Sequence, residues 1–155
     1  MLRLALYHPQ IPPNTGMLLR LTSALGISLD IIRPMGFVFD DKKLKRAGMD
    51  YIKFADYKIH DSFENFYEKY RERRLIALDI GAKAVPYYDF KYQSQDILIA
   101  GSEHYGFLGD DLNKILQCVK IPLLPNRRSL NMATAAAIVL SQAMIQLNLY
   151  AQINK

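Results

Sequence analysis

The chain alternates short, almost continuous apolar runs with stretches whose apolar residues recur at helical spacing. The predicted strands are Leu2–Tyr7, Leu29–Ile32, Arg74–Asp79, Asp96–Gly101 and Val119–Leu124. Runs that are apolar on both faces are typical of strands covered on both sides, as in a parallel sheet. The predicted helices are Thr15–Leu25, Asp41–Ala47, Asp61–Tyr70, Asp110–Gln117 and Asn131–Tyr150. This order predicts an α/β fold with a mostly parallel sheet flanked by helices.

Length and cysteine content restrict the class of protein further. A chain of 155 residues suits a single domain, residues 1–155, with a core that needs neither disulfides nor a metal. The single cysteine, Cys118, excludes a disulfide within one chain and fits a reducing compartment, so we expect a cytoplasmic protein. The uncharged segment Met132–Ile153 is interrupted by polar side chains, which favours a buried or interface helix over a membrane span.

The charge balance favours an anionic partner. Twenty Lys and Arg residues against fifteen Asp and Glu give a net charge of +5. Two basic segments, Lys42–Phe54 and Arg71–Arg74, could contact an RNA backbone. A solvated helix face explains each of these segments at least as well.

Several kinds of chemistry have no support in the sequence. Neither GxGxxG after the first strand nor a phosphate-binding GxxxxGK[ST] loop is present. The three histidines have no metal-ligand spacing among themselves or with Cys118, so we expect no metal site. Cys118 lies between apolar residues and is predicted to be a buried small side chain rather than a nucleophile.

The segment IPPNTGMLLR, Ile11–Arg20, places an arginine on a predicted helix directly after a proline- and glycine-containing turn. At 100° per residue, Leu18, Leu21 and Leu25 form the predicted core stripe, and Arg20 lies on another face. Taken alone, Arg20 is most simply a solvated charge.

The start of this helix is a second point of interest. Asn14 or Thr15 is predicted to cap it, and its first N–H groups would favour a nearby phosphate. In open α/β sheets, ligands bind beyond the carboxyl ends of the strands. Four loops are therefore expected to converge on one site: Pro9–Gly16, Ile80–Pro86, Ser102–Gly109 and Pro125–Asn131.

Three motifs in a fixed order resemble the SPOUT superfamily of RNA methyltransferases. They are Asn14-Thr15-Gly16 with Arg20, Gly101-Ser102-Glu103 with Gly106, and Ser129-Leu130-Asn131. The segments IPPNTG, RPMGF, DDKKLKRAGMDY and KIPL also resemble its minimal TrmL branch, which contains tRNA ribose methyltransferases. The resemblance covers nearly the whole chain.

The resemblance implies a specific fold and reaction. The family fold is an α/β sheet whose C-terminal part is tied into a deep trefoil knot, and its members work as homodimers. They transfer the methyl group of S-adenosylmethionine, and the TrmL branch methylates the ribose 2′-hydroxyl of the wobble cytidine or uridine in the tRNA anticodon stem-loop. The alternatives are methylation of another RNA site, a non-catalytic RNA-binding or cofactor-sensing dimer, and a module that only binds proteins.

The resemblance also implies roles for individual residues. The catalytic set would be Arg20, Asn14, Glu103, Ser129 and Asn131. The cofactor contacts would be Leu78, Gly101, Ile121, Ser129 and Leu130. The RNA contacts would be Arg20, Lys42, Lys43, Arg46, Tyr105, Arg127 and Arg128. A guanidinium stays protonated in proteins, so Arg20 would hold a phosphate and stabilise negative charge on the 2′-oxygen rather than act as a base.

The sequence departs from the TrmL pattern at three positions. Tyr105 stands where an arginine is usual, Asp79 replaces a small polar residue, and Ala133 replaces a serine. Tyr105 could stack on a base where an arginine would pair with a phosphate. These departures concern the RNA substrate more than the class of reaction.

Overall fold

The computed structural model describes residues 1–40, 53–81 and 83–153. Within them the strands are β1 Arg3–Tyr7, β2 Ser28–Ile32, β3 Tyr57–His60, β4 Leu75–Leu78, β5 Val85–Pro86, β6 Ile97–Ala100 and β7 Gln117–Lys120. The helices are α1 Pro12–Leu25, α2 Phe63–Tyr70, α3 Gly109–Lys114, α4 Met132–Gln146 and α5 Tyr150–Ile153. The predicted helix Asp41–Ala47 and the predicted RNA contacts Lys42, Lys43 and Arg46 lie outside the described residues.

The strands form one sheet in the order β3-β2-β1-β6-β4-β7-β5, and every neighbouring pair is parallel. This confirms the predicted parallel sheet. β1 pairs with β2 on one side and with β6 on the other, so strands are added in opposite directions from this point. Ligands in open α/β sheets bind where the strand order reverses, beyond the carboxyl ends. The topology therefore points to the loops that follow β1 and β6.

Helices cover both faces of the sheet. One core cluster joins the sheet to α1 and α4, with Leu19 and Ala136 fully buried between them. The other joins the sheet to α2 through Phe63, Phe66 and Tyr70. Because apolar side chains project from both faces of each central strand, these strands appear in the sequence as continuous apolar runs.

Several element boundaries differ from the prediction. The sequence pattern missed β3 and β5, because β3 alternates polar and apolar residues at an edge and β5 is only two residues long. β7 ends at Lys120 rather than at Leu124, since the following segment contains Pro122, which has no N–H to donate to a sheet. The last predicted helix is interrupted after Gln146 by a turn in which Asn148 has a φ of 54°.

The start of α1 also corrects the prediction. The helix begins at Pro12, with Ile11 as an N-cap that makes no side-chain hydrogen bond, so Asn14 and Thr15 lie inside the helix and do not cap it. Prolines are tolerated in the first turn because their missing N–H groups would have no partner within the helix. The helix predicted from Asp61 begins later as well: α2 starts at Phe63, and Ser62 caps it.

The buried face of α1 differs from the predicted core stripe. Leu18 and Leu19 are buried, as is Thr22, whose hydroxyl donates to a backbone carbonyl one turn back. Leu21 and Leu25 are only partly buried. The stripe is therefore rotated from the predicted position.

A buried polar cluster around Asp30 joins β1, β2, β3 and α2. The fully buried carboxylate accepts hydrogen bonds from Arg3 Nε at 2.7 Å and from the Tyr70 hydroxyl at 3.1 Å, and it lies 2.7 Å from His60 Nε2. Burial alone would raise the pKa of Asp30, but the hydrogen bonds with His60 and Arg3 outweigh it and lower the pKa. The ionised carboxylate therefore stabilises the fold above about pH 4, and this contribution is lost as the pH falls through the lower pKa of the folded protein.

The basic segment Arg71–Arg74 is largely occupied within the fold. Arg74 forms a two-pronged ion pair with buried Asp96, with distances of 2.8 and 2.7 Å. Arg73 donates to the carbonyls of Gln95 and Met1. These contacts hold Arg73 and Arg74 within the fold, whereas Arg71 stays on the surface with Glu68 and Glu72.

No helix within the described part of the chain combines the length and the apolar character that a membrane crossing requires.

Candidate active site

A cavity of about 710 Å³ lies at the carboxyl ends of β4, β6 and β7. Its walls come from the loops after these strands and from the first residues of α1 and α4. The four loops that were expected to converge all contribute to it. Each of the five predicted cofactor contacts lines this cavity: Leu78, Gly101, Ile121, Ser129 and Leu130. Asn14, Glu103, Asn131 and Tyr105 line it too.

The cavity has an apolar floor and a polar rim. Ala100, Val119 and Val139 provide apolar surface, whereas Glu103 and Asn131 provide polar groups. A mainly apolar pocket with a few convergent polar side chains is the usual form of a small-molecule site.

Glu103 supports the entrance to α1. Its carboxylate accepts hydrogen bonds from the backbone N–H groups of Gln10 and Ile11, at 2.8 and 3.3 Å, and from Asn14 Nδ2 at 3.0 Å. Because Pro12 and Pro13 have no N–H groups, Glu103 satisfies the last donors before the helix. The carboxylate therefore acts as a brace between the loop after β6 and the start of α1.

Asn14 extends this brace to α4. Its side-chain oxygen accepts a hydrogen bond from Asn131 Nδ2 at 2.9 Å. The side-chain oxygen of Asn131 in turn caps α4 by accepting from the N–H groups of Ala133 and Thr134, at 2.9 and 3.2 Å. We call Glu103, Asn14 and Asn131 the amide relay. It ties together the three segments that carry the three motifs.

We expect Glu103→Gln to destabilise the protein by about 1–3 kcal/mol, because the amide NH₂ would face N–H donors that the carboxylate oxygens now accept. Urea unfolding monitored by circular dichroism measures the change. The control is Glu68→Gln, because Glu68 is exposed and its ion pair with Arg71 is a long surface pair of 4.0 Å. Equal stability of the two variants would contradict the bracing role of Glu103.

The loop after β6 is narrow and closed. The backbones of Ser102 and Gly106 exchange two hydrogen bonds of 2.8 Å, and Gly106 adopts a φ of 67°. A Cβ at Gly101 would lie 3.0 Å from the Phe107 ring and 3.1 Å from the Gly106 backbone. The Ser102 hydroxyl is buried without a hydrogen-bond partner in the described part of the chain. Only glycine fits at position 101 without displacing its neighbours.

Sequence reasoning missed a contact between the loops after β1 and β6. His8 is buried with a φ of 47°, and its Nδ1 lies 3.0 Å from the Tyr105 hydroxyl. Burial lowers the pKa of His8, against the opposing effects of Asp111 and of a hydrogen bond with the Arg33 backbone. The position of His8 in the sequence could have indicated a role in the site, because His8 directly follows a predicted strand, at the edge of the sheet where ligands are expected.

The predicted basic contacts that fall within the described residues, Arg20, Arg127 and Arg128, lie outside the cavity lining. Arg20 is exposed on α1, six positions after Asn14, which places the two about 120° apart around the helix. Arg127 and Arg128 are exposed in the segment before α4. Geometry within one chain thus brings together the predicted cofactor contacts and the amide relay, and leaves these arginines on the surrounding surface.

The described residues contain no group of three or more side chains suited to hold a metal ion. Cys118 lies half-buried in β7, and burial raises the pKa of its thiol, which disfavours the reactive thiolate.

Comparison with known proteins gives concordant results. The sequence profile of the SpoU rRNA Methylase family matches residues 1–141. A tRNA (cytidine(34)-2′-O)-methyltransferase from Escherichia coli K12 is 40% identical over 150 residues, which cover 95% of this chain and 94% of that protein. The corresponding enzyme from Beijerinckia indica is 41% identical over 152 residues, covering 97% and 94%.

Solved structures agree with these sequence matches. A structure concerning the 2-OH methylation of C/U34 on tRNA superimposes with a TM-score of 0.87 at 39% identity, covering 96% of this chain and 97% of that one. The SpoU methyltransferase AviRb from Streptomyces viridochromogenes, in complex with AdoMet, gives a TM-score of 0.82 at 22% identity and covers 96% of this chain and 58% of its own. The second likeness concerns the fold alone.

Proposed function

Since the chain belongs to the SpoU rRNA methylase family, we propose that it is a tRNA 2′-O-methyltransferase that modifies the cytidine or uridine at position 34, as the names of its relatives indicate. The observation that carries the proposal is the cavity itself. Loops far apart in sequence bring the residues of all three motifs to its wall. The relatives that share this activity are matched over nearly their whole length.

The cavity fits S-adenosylmethionine as the methyl donor. Its apolar floor suits the adenine ring, and the loop at Gly101 has no room for a side chain where a ligand would pass close to the backbone. Leu78, Ile121 and Leu130 would hold the cofactor, with Ser129 at the polar rim. When bound, the cofactor supplies an electrophilic methyl group on its sulfonium for in-line transfer.

The chain's own residues would orient the ribose and manage its charge. The amide relay fixes the entrance to α1 against the cofactor loops, so that a ribose held there meets a rigid surface. Arg20 would hold the adjacent phosphate and stabilise the negative charge that develops on the 2′-oxygen. Because a guanidinium stays protonated, the proton of the hydroxyl passes to the phosphate or to a water molecule.

We further propose that the single domain works in the cytoplasm as a homodimer whose C-terminal part is knotted. Two features support an interface on α1 and α4. Met17 on α1 and Ile145 on α4 are apolar and are 58% and 61% exposed. The helix α4 carries no charged residue. Arg127, Arg128 and the basic segment that begins at Lys42 would contact tRNA around the site.

The decisive experiment is methyl transfer from labelled S-adenosylmethionine to unmodified total tRNA, followed by nucleoside mapping. We expect 2′-O-methylcytidine or 2′-O-methyluridine at position 34. Label at another nucleotide would indicate a different RNA site. Binding of tRNA and cofactor without transfer would favour a non-catalytic dimer, and binding of neither would favour a protein-interaction module.

We expect Gly101→Ala to weaken cofactor binding about tenfold, because the added methyl group would overpack the narrow loop against the Gly106 backbone. Isothermal titration with S-adenosylmethionine measures the effect. Gly109→Ala is the matched control, since a methyl group added there would have no neighbour within 4 Å among the described residues. Equal affinity of the two variants would exclude Gly101 from the cofactor site.

A further inference from the structure

His8 is held rigidly at the carboxyl edge of the sheet. Its backbone N–H donates to the carbonyl of Ile32 at 3.0 Å and so extends the pairing of β1 with β2. The side chain is 5% exposed, and its ring stacks on Tyr7 with centroids 3.8 Å apart and planes inclined by 23°. The Tyr7 hydroxyl donates to Asp111 at 2.6 Å. The His8 imidazole therefore packs on a tyrosine ring that is itself held by a hydrogen bond.

Tyr105, in the loop after β6, is held in place by His8. Its hydroxyl lies 3.0 Å from His8 Nδ1. Its loop is closed by the two backbone hydrogen bonds between Ser102 and Gly106. The residue lines the cavity and remains 44% exposed. With its hydroxyl and its loop both held, the ring presents an aromatic surface of fixed orientation at the cavity wall.

The chemistry of this surface suits a nucleobase rather than a phosphate. The tyrosine ring carries no charge, and its hydroxyl is engaged with His8. Unpaired RNA bases stack on tyrosine rings, and stacking accepts any base because every base has an aromatic face. Since the reacting ribose must enter the same cavity, the base attached to that ribose is the group placed to reach Tyr105.

We propose that Tyr105 stacks on the base of the nucleotide that is methylated, and that His8 is a positioning residue that fixes the Tyr105 ring. This inference rests on the proposed function. It means that the protein senses the presence of a base at the target position through the face of the base rather than through its hydrogen-bonding edge.

The test measures KM and kcat for methyl transfer to two anticodon stem-loop RNAs. One carries cytidine at the target, and the other carries an abasic ribose there. On the cytidine RNA we expect Tyr105→Ala to raise KM about tenfold and His8→Asn to raise it about threefold, with kcat changed less than about twofold. Asparagine tolerates the left-handed backbone at position 8, so this change removes the contact without forcing a new conformation. On the abasic RNA, the KM of the unaltered protein and that of Tyr105→Ala should be equal.

The control is Tyr88→Ala, which removes a tyrosine of similar exposure, 51%, outside the cavity lining and should leave both constants unchanged. Equal KM for Tyr105→Ala and the unaltered protein on cytidine RNA would overturn the proposal, as would a tenfold difference that persists on abasic RNA. Weaker cofactor binding by His8→Asn would show a structural role and overturn the positioning role of His8. Failure of the unaltered protein to methylate any tRNA would instead overturn the proposed function on which the inference rests.

Discussion

Replacing Arg20 with alanine is expected to lower kcat for tRNA methylation by at least about 100-fold while changing the affinity for S-adenosylmethionine less than about twofold. Arg20 is exposed on α1, away from the cofactor contacts, so its loss leaves the cavity intact. In the role proposed for Arg20, the change removes the positive charge that would hold the phosphate and stabilise the developing 2′-oxyanion. Single-turnover transfer of labelled methyl, together with calorimetric titration of the cofactor, measures the two quantities separately.

Arg71→Ala is the matched control for this experiment. Arg71 is also exposed, and its ion pairs within the described part of the chain are surface pairs with Glu68 and Glu72. Surface pairs of this kind contribute little to stability, so we expect normal turnover. Unchanged turnover in Arg20→Ala would refute the role given to this residue, whereas loss of cofactor binding would indicate a structural defect.

Replacing Asp30 with alanine is expected to lower the free energy of unfolding by about 3–5 kcal/mol. The change removes the common partner of Arg3, His60 and Tyr70 and leaves their polar groups without a buried acceptor. Urea unfolding at neutral pH measures the loss. In Asp61→Ala, which removes an exposed carboxylate paired with Arg33 at 3.2 Å, we expect less than about 1 kcal/mol.

The contribution of Asp30 to the free energy of unfolding should also depend on pH. Because the folded protein holds the pKa of Asp30 below its usual value, the stabilisation is complete at neutral pH and declines once the pH falls below about 4. The difference between the unaltered protein and Asp30→Ala should therefore be smaller near pH 3 than near pH 7. An equal difference at both pH values would mean that ionisation of Asp30 does not support the fold.

The sheet could be predicted because its central strands are buried on both faces and therefore leave continuous apolar runs in the sequence. The edge strand β3 left no such run, since its outer positions are polar. The start of α1 was misplaced because Asn14 has the side chain of a good cap, yet its carbonyl and amide groups are used for Asn131 and Glu103 instead. Local propensity could not reveal partners so distant in the chain.

The site was partly predictable for the same reasons. Loops at the carboxyl ends of parallel strands must lie at one edge of the sheet, so their convergence followed from the topology. The contact of His8 with Tyr105 joins residues 97 positions apart and depends on side-chain packing within that edge. The position of Arg20 relative to the cavity depends on how α1 is rotated about its axis. The spacing of apolar residues in the sequence did not predict this rotation, because the buried face of α1 differs from the predicted core stripe.

The amide relay has a consequence for the order of events during synthesis. Its two contacts span 89 and 117 residues, and Asn131 is made last of the three members. A growing chain that already has β1 and α1 cannot complete the relay until the start of α4 has emerged. The brace between the loop after β6, the start of α1 and the start of α4 is therefore completed only late in synthesis, once about five-sixths of the chain has been made.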